Sequence, residues 1–218
     1  MLAKNIIIDG INELYLHRKI VCKQLLVPVF FLWGLGIPLD SLNDSHSFKE
    51  LCQYIYLGLC LLLQAHLAIT IHRIILLADG SLTLNFGRLF MYIWYSIVIS
   101  MICMPAFAFT FIPSIGLYLA AIVVALVFTS LSLIFPSIAV EDDLTLGRVW
   151  ELSREYLGSL IICMFMMGFV TNGPSYLFKE VWDLKAVSDL FGWVTAAINM
   201  SILSVAYRSI IRNKLESN

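Results

Sequence analysis

The longest uncharged stretch of this chain, Leu89 to Val140, contains 52 residues without Asp, Glu, Lys or Arg. A helix crosses the hydrocarbon core of a bilayer with about 20 apolar residues, so this stretch is long enough for two membrane spans. Pro105 and Pro113 lie within it, and because Pro interrupts helices we place the turn between the two spans there. An ordinary soluble domain does not contain such a stretch.

Four further uncharged stretches predict additional spans. The chain is 60% hydrophobic and 13% charged, whereas soluble domains are about 25% charged, so most of its surface must face lipid. We therefore predict an all-α, polytopic membrane protein with a single domain over residues 1–218. The six predicted transmembrane helices cover residues 22–38, 51–72, 89–109, 114–136, 156–178 and 188–208.

Lys and Arg orient these spans, because short cytoplasmic loops are enriched in basic residues. With both termini cytoplasmic, the inner segments hold 11 of the 14 basic residues, and the outer loops hold only Lys49, Lys179 and Lys185. The first 20 residues contain Asp9 and Glu13 and lack a continuous apolar region, so we expect a retained anchor and no cleaved signal peptide. The sequence thus predicts that both termini are cytoplasmic.

Three inner segments have the mixed composition of helices that lie in the membrane interface. The first is residues 9–23; the second begins at Leu82 (LTLNFGRLFMY) and the third at Leu144 (LTLGRVWELSREYL). Start points near Ile11, Leu82 and Leu144 are 71 and 62 residues apart, and each precedes a span outward and a span back. We interpret this pattern as three divergent hairpin repeats. The alternative is that any inner loop carries some basic and aromatic residues.

The third segment contains local helix signals. Either Asp143 or Thr145 is expected to cap the free backbone NH groups of the helix that follows. Arg148 lies three residues before Glu151, a spacing that favours an exposed ion pair on one helix face.

Sequence motifs exclude several classes of chemistry. No charged residue lies near the middle of a predicted span, which argues against an ion-coupled pump. The chain has no glycine-rich phosphate loop, no Gly-x-Ser-x-Gly and no His-Glu-x-x-His. Its five cysteines are isolated; Cys52 and Cys103 could pair only in an oxidising compartment, and free thiols are the simpler expectation. We predict no cofactor, no metal site and, at a net charge of -1, no nucleic-acid binding.

Polar residues inside the predicted spans form the first set of candidate site residues. The simpler interpretation is hydrogen bonding between helices, which satisfies polar groups in hydrocarbon. The functional interpretation is a polar pocket or narrow pathway lined by Gln64, His66 and Asn199. The complete set is Gln64, His66, Asn172, Thr195 and Asn199.

Basic residues near the inner membrane surface form the second set. A guanidinium presents a planar donor fork that suits phosphate oxygens, so these residues are candidates for binding phospholipid headgroups. They are equally explained by the enrichment of basic residues on the cytoplasmic side. The set is His72, Arg73, Arg88, Arg148 and Arg154.

The segment Leu131–Leu160, with Ile71–Gly80 and Ser204–Ile210, resembles a broad group of uncharacterised bacterial inner-membrane proteins. It is also similar to the membrane domain attached to some bacterial glycerophosphodiester phosphodiesterases. The resemblance implies a six-helix fold with interfacial helices in a bacterial inner membrane. This sequence lacks the phosphodiesterase domain, so the hydrolytic activity is not carried over to it. The residues that carry it are Pro136 and Ser137, the acidic stretch 141–143, and Leu146, Trp150, Leu152, Ser153 and Arg154.

These features together favour a non-enzymatic accessory or scaffold subunit. Its expected partners are membrane lipids and either another membrane protein or further copies of the chain, bound through the helix bundle. A small transporter or channel for a lipid-like or neutral solute is the alternative, and a lipid-linked enzyme comes third.

Overall fold

The computed structural model describes residues 2–26, 30, 46–79, 85–176, 185–212 and 214, and it describes their side chains except at residues 46–49, 170–176, 185–187, 189–190 and 212. The described residues form helices joined by short turns and contain no strand. The all-α prediction is therefore confirmed. The helices are α1 (Leu2–Leu16), α2 (18–26), α3 (His46–Leu77), α4 (Phe86–Cys103), α5 (Gly116–Leu131), α6 (Ile134–Val140), α7 (Leu146–Ser153), α8 (Leu157–Tyr176) and α9 (Lys185–Tyr207).

Five helical stretches in the described part of the chain are long and apolar enough to cross a membrane. They agree in order and approximate position with the second to sixth predicted spans, and they make this a multi-pass membrane protein. The first predicted span, 22–38, lies largely outside the described residues. The five stretches are Glu50–Leu77, Phe86–Phe111, Gly116–Val140, Leu146–Phe169 and Phe191–Ile211.

The turn between the third and fourth spans comes later than predicted. Pro105 lies in the first turn of a 3-10 helix, Met104–Phe111, that continues directly from α4. Pro lacks an NH group and its ring clashes with the carbonyl group four residues earlier, so the α-helical hydrogen bonding of α4 ends here and the chain continues as a 3-10 helix. The chain reverses only at residues 112–115, where Ser114 adopts a left-handed conformation with φ of 69°. Gly116 follows so closely that a Cβ atom there would lie 1.9 Å from the carbonyl oxygen of Phe109.

The fourth predicted span, 114–136, corresponds to the apolar stretch Gly116–Val140, which a short turn divides into two helices. α5 ends at Leu131, and α6 begins at Ile134 after a two-residue turn. Pro136 explains the break, because the ring of a Pro clashes with the carbonyl group four residues earlier, here that of Ser132. α6 then ends at Glu141, whose left-handed φ of 63° stops the helix.

The N-terminal helix packs on the bundle with one face. Gly10 allows this approach, because a Cβ atom there would lie only 2.8 Å from the Cα atom of Ile202 on α9. The hydroxyl of Ser201 donates a hydrogen bond of 2.6 Å to the carbonyl oxygen of Gly10. Ile11 and Tyr15 on the other face are exposed. α1 therefore combines a packed face with an exposed apolar one.

Burial is concentrated at one end of the bundle. The packed half consists of residues 65–77 of α3, residues 129–140 of α5 and α6, and residues 195–211 of α9 and the π-helix (Arg208–Arg212) that follows it; most side chains there are buried. The open half consists of residues 50–64 of α3, none of which is buried, and residues 104–122, of which only Ala106, Gly116 and Ala120 are buried. The candidate functional site lies in and beyond the packed half.

Candidate functional site

The ends of α3, α4, α6 and α9 meet at the limit of the packed half. We call the group of acidic and basic residues there the charged end. Its members are Arg73, Asp79, Arg88, Glu141 and Asp142, which come from the end of α3, the start of α4 and the end of α6 together with the residues that follow α3 and α6.

Arg73 is held from two sides. Its guanidinium forms an ion pair with Asp79, and Nη1 donates a hydrogen bond of 3.2 Å to the carbonyl oxygen of Ala139 on α6. Asp79 can reach back because Ala78 ends α3 in a left-handed conformation with φ of 53°. Only 17% of the Arg73 side chain is exposed. Arg73 thus connects α3 to α6.

Arg88 lies in the first turn of α4 and pairs with Glu141. Asn85 caps this helix, and its side-chain oxygen accepts a hydrogen bond of 3.2 Å from the Arg88 backbone NH. The charges of Arg73 and Asp79 act on the Arg88 guanidinium, so the two ion pairs form one electrostatic group. The Nε atoms of both arginines are buried and have no hydrogen-bond partner among the described residues.

His72 and Ser204 connect α3 to α9 in the interior, where both are completely buried. The Ser204 hydroxyl donates to the carbonyl oxygen of Met200 at 2.8 Å, so its oxygen is left to accept a hydrogen bond from His72 Nδ1 at 2.7 Å. In nucleophilic catalysis the direction is opposite, because the imidazole accepts the serine proton. This pair is therefore arranged as a structural link. Tyr207 adds another such link, since its hydroxyl donates to the carboxylate of Asp142.

The five basic residues singled out from the sequence occupy three different environments. Arg73 and Arg88 come together at the charged end. His72 lies inside the bundle, away from any surface that a headgroup could reach. Arg148 pairs with Glu151 at 3.2 Å on an exposed face of α7, as its spacing predicted, and Arg154 is exposed. A headgroup role remains a prediction for the arginines.

Two helix starts use the same local structure. Thr145 caps α7, and its hydroxyl accepts a hydrogen bond of 3.3 Å from the Arg148 backbone NH. Asn85 stands in the same position relative to Arg88 at the start of α4. The prediction of a cap before α7 is confirmed for Thr145. The three hairpin repeats remain a prediction, which this recurrence supports at two of the three starts.

The polar residues predicted inside the spans have different environments. Gln64 is exposed on α3, and His66 and Asn199 are half-buried. Thr195 is buried, but its hydroxyl bonds to the Phe191 and Gly192 carbonyls of its own helix, at 3.1 and 2.9 Å, and not across to another. The side chain of Asn172 lies outside the described residues. The pathway that Gln64, His66 and Asn199 were predicted to line stays a prediction.

Sequence reasoning missed the residues that do join helices in the interior. Ser201 bonds to α1, Ser204 to α3 and Tyr207 to the segment after α6. These three lie three residues apart along α9, so they share a face. Small polar residues repeated at helical spacing in an apolar helix are the signal that could have found the two serines.

No protein-family profile, no curated protein and no solved structure matches this chain. The resemblance to bacterial inner-membrane proteins is therefore still an interpretation of its residues. Within the described part of the chain, no three His, Cys, Asp or Glu side chains come together as a potential metal site.

Proposed function

We propose that this chain is a non-enzymatic accessory or scaffold subunit of a bacterial inner membrane, with both termini in the cytoplasm. The observation that carries this proposal is the use of its buried polar side chains. His72, Ser201, Ser204, Tyr207 and Arg73 are each engaged in a contact between helices or helix ends. Side chains committed in this way hold a bundle together and are not presented to a substrate.

The exposed face of α4 supports a role in binding. Six large apolar side chains follow one another along it and into the start of the 3-10 helix, at spacings of four, four, three, four and three residues, and each is at least 47% exposed. This is the spacing of a helix face that contacts a second helix. The rings of Phe90 and Trp94 on this face stack with their centroids 6.5 Å apart. The stripe consists of Phe86, Phe90, Trp94, Ile97, Met101 and Met104.

Lipid binding is the second part of the proposal. Arg73 and Arg88 place two guanidinium groups together at the end of the bundle, where the membrane interface is expected. Each arginine is paired with a carboxylate. Because 62% of the Glu141 side chain is exposed, Glu141 can move away from Arg88 when an anionic headgroup competes for this guanidinium. Mass spectrometry of co-purified lipids checks this part: Arg73→Gln with Arg88→Gln should lower bound anionic phospholipid, and unchanged lipid would contradict it.

The transporter alternative gains less support. A solute pathway needs polar side chains that face a common space, whereas Gln64 is exposed and the Thr195 hydroxyl is used within its own helix. Transport that fails in a His66→Ala, Asn199→Ala variant would favour this alternative.

Extraction from the native membrane in a mild detergent, followed by mass spectrometry of co-purified proteins, tests the scaffold proposal. We expect a stoichiometric membrane-protein partner, and Phe90→Ala with Trp94→Ala should remove it. Phe165→Ala with Phe169→Ala is the matched control, because these rings are 80% and 75% exposed on α8. A chain that emerges alone, or a partner lost equally with both variants, would contradict the proposed role of α4.

A further inference from the structure

A small, partly open cavity lies where α8 packs against α5 and α9 of the packed half. Its volume is about 10 Å³, which is room for one water-sized atom or ion. Most of its wall is apolar, contributed by residues such as Ile202 and Ala206 of α9. The remainder of the wall has an unusual composition.

Three sulfur-containing side chains of α8 line this cavity: Cys163, Met164 and Met167. Positions one and four residues after Cys163 lie about 100° and 40° around the helix from it, so the three side chains form one compact patch. Cys163 is 3% exposed, and its thiol donates a hydrogen bond of 3.7 Å to the carbonyl oxygen of Ala3 on α1, which the bound ion would replace. The only other methionine on this helix, Met166, is 47% exposed and does not line the cavity.

Thr129 of α5 supplies a second, independent observation. It lines the cavity, is 1% exposed, and its hydroxyl has no hydrogen-bond partner among the described residues. Its neighbours behave normally: the Ser130 and Ser132 hydroxyls donate to backbone carbonyls at 3.0 and 3.1 Å. Buried hydroxyls are rarely left unsatisfied, and an exception indicates a missing partner.

The lining also restricts the charge of any bound ion. A thiolate and two neutral thioethers carry one negative charge, so a monovalent cation gives a neutral site, whereas a divalent cation leaves an uncompensated charge in a low-dielectric interior. Thiolate and thioether ligands are soft and suit Cu(I) and Zn(II), and of these two ions only Cu(I) is monovalent.

We propose that this cavity binds one Cu(I) ion through the Cys163 thiolate and the Met164 and Met167 thioethers. On binding, the Cys163 S–H bond breaks, the proton passes to solvent and the S–Cu bond forms, with no change in the oxidation state of either atom. The Thr129 hydroxyl donates a hydrogen bond to the thiolate and so acquires the partner it lacks. Sequence analysis predicted no metal site, and this inference does not depend on the proposed scaffold role.

Competition with a coloured Cu(I) chelator under anaerobic conditions tests the site. The starting protein is the full chain in detergent with Cys22, Cys52, Cys60 and Cys103 replaced by Ala, so that Cys163 is the one remaining thiol. We expect one equivalent of Cu(I) per chain and sulfur-only ligation in X-ray absorption spectra. Cys163→Ser should abolish this binding.

The methionine variants distinguish Cu(I) binding by all three sulfur ligands from binding by the Cys163 thiol alone. Met164→Leu with Met167→Leu keeps the side-chain volume, so the fold should persist while binding weakens by about tenfold or more. Thr129→Val should weaken it by about tenfold through loss of the hydrogen bond to the ligand. Met166→Leu is the matched control and should bind like the starting protein. Absence of binding, full binding by Cys163→Ser, or equal affinities of the double Leu variant and Met166→Leu would each overturn the proposal.

Discussion

The two halves of α3 have opposite environments although they belong to one continuous helix. None of the residues from 50 to 64 is buried, whereas nine of the thirteen residues from 65 to 77 are. The buried part faces α6 and α9 and carries His72 and Arg73, which bond to Ser204 and to the Ala139 carbonyl. The exposed part lies in the open half.

This difference shows where the bundle obtains its cohesion. Lipid tails solvate apolar side chains as well as protein does, so a helix face in a membrane gains little from apolar burial alone. Close packing and hydrogen bonds between helices supply the association instead, and in the described residues these are concentrated in the packed half. We therefore expect substitutions in the packed half to lower the free energy of unfolding, and matched substitutions in the open half to leave it unchanged.

Tyr207→Ala should have the largest effect. The side chain is completely buried on α9, and its hydroxyl donates to Asp142. Truncating a buried aromatic residue costs about 3–5 kcal/mol in a packed core. The free energy of unfolding, measured by titration of a mild detergent with SDS, should fall by about 4 kcal/mol.

Tyr118→Ala is the control for this prediction, because Tyr118 is 70% exposed at the start of α5 in the open half. Its free energy of unfolding should stay within about 0.5 kcal/mol of the starting value. Equal losses for the two variants would show that the open half contributes to stability as much as the packed half.

Gly10→Leu should have the next largest effect. A Cβ atom at Gly10 would meet the backbone of Ile202, so α1 and α9 must separate, and the Ser201 bond to the Gly10 carbonyl breaks. Overpacking of this kind costs about 1–3 kcal/mol. The same SDS titration should show a loss of about 2–3 kcal/mol.

Gly58→Leu provides the comparison in the open half. It lies on α3, where a Cβ atom would meet nothing within 4 Å. Leu has a better helix propensity than Gly by about 0.8 kcal/mol, so this variant should be as stable as the starting protein or slightly more so. A loss comparable to that of Gly10→Leu would mean that α3 is packed along its whole length.

The sequence predicted the position of the described spans well because the length of an apolar stretch is matched directly to the thickness of the bilayer. Helix ends were harder to predict. The second span was placed at 51–72, yet α3 continues to Leu77, because charged residues mark the exit from hydrocarbon but do not end the backbone hydrogen bonding. That hydrogen bonding ends at Ala78, which has a left-handed conformation. The composition of the chain gives no sign of this conformation.

The candidate site was predictable in part for a similar reason. Arg73 and Arg88 could be placed near each other because both close the same short inner connection. Their acidic partners could not: Glu141 lies 53 residues beyond Arg88, and its contact depends on how α6 packs between α3 and α4. The same holds for Ser204, which meets His72 across 132 residues of sequence.

The smallest expected effect concerns the ion pairs, and it compares the charged end with the exposed surface of α7. In a double-mutant cycle of Arg73→Gln with Asp79→Asn, the coupling energy should reach about 1 kcal/mol, the upper end for pairs that water still reaches. Their side chains are 17% and 31% exposed. For Arg148→Gln with Glu151→Gln, where the side chains are 50% and 68% exposed, the coupling energy should be about 0.3 kcal/mol and should vanish in high salt. Salt should reduce the first coupling less, because partial burial limits screening. Equal couplings for both pairs would mean that the charged end is hydrated like an open surface, and its arginines would then be available to bind anionic headgroups without first displacing a carboxylate.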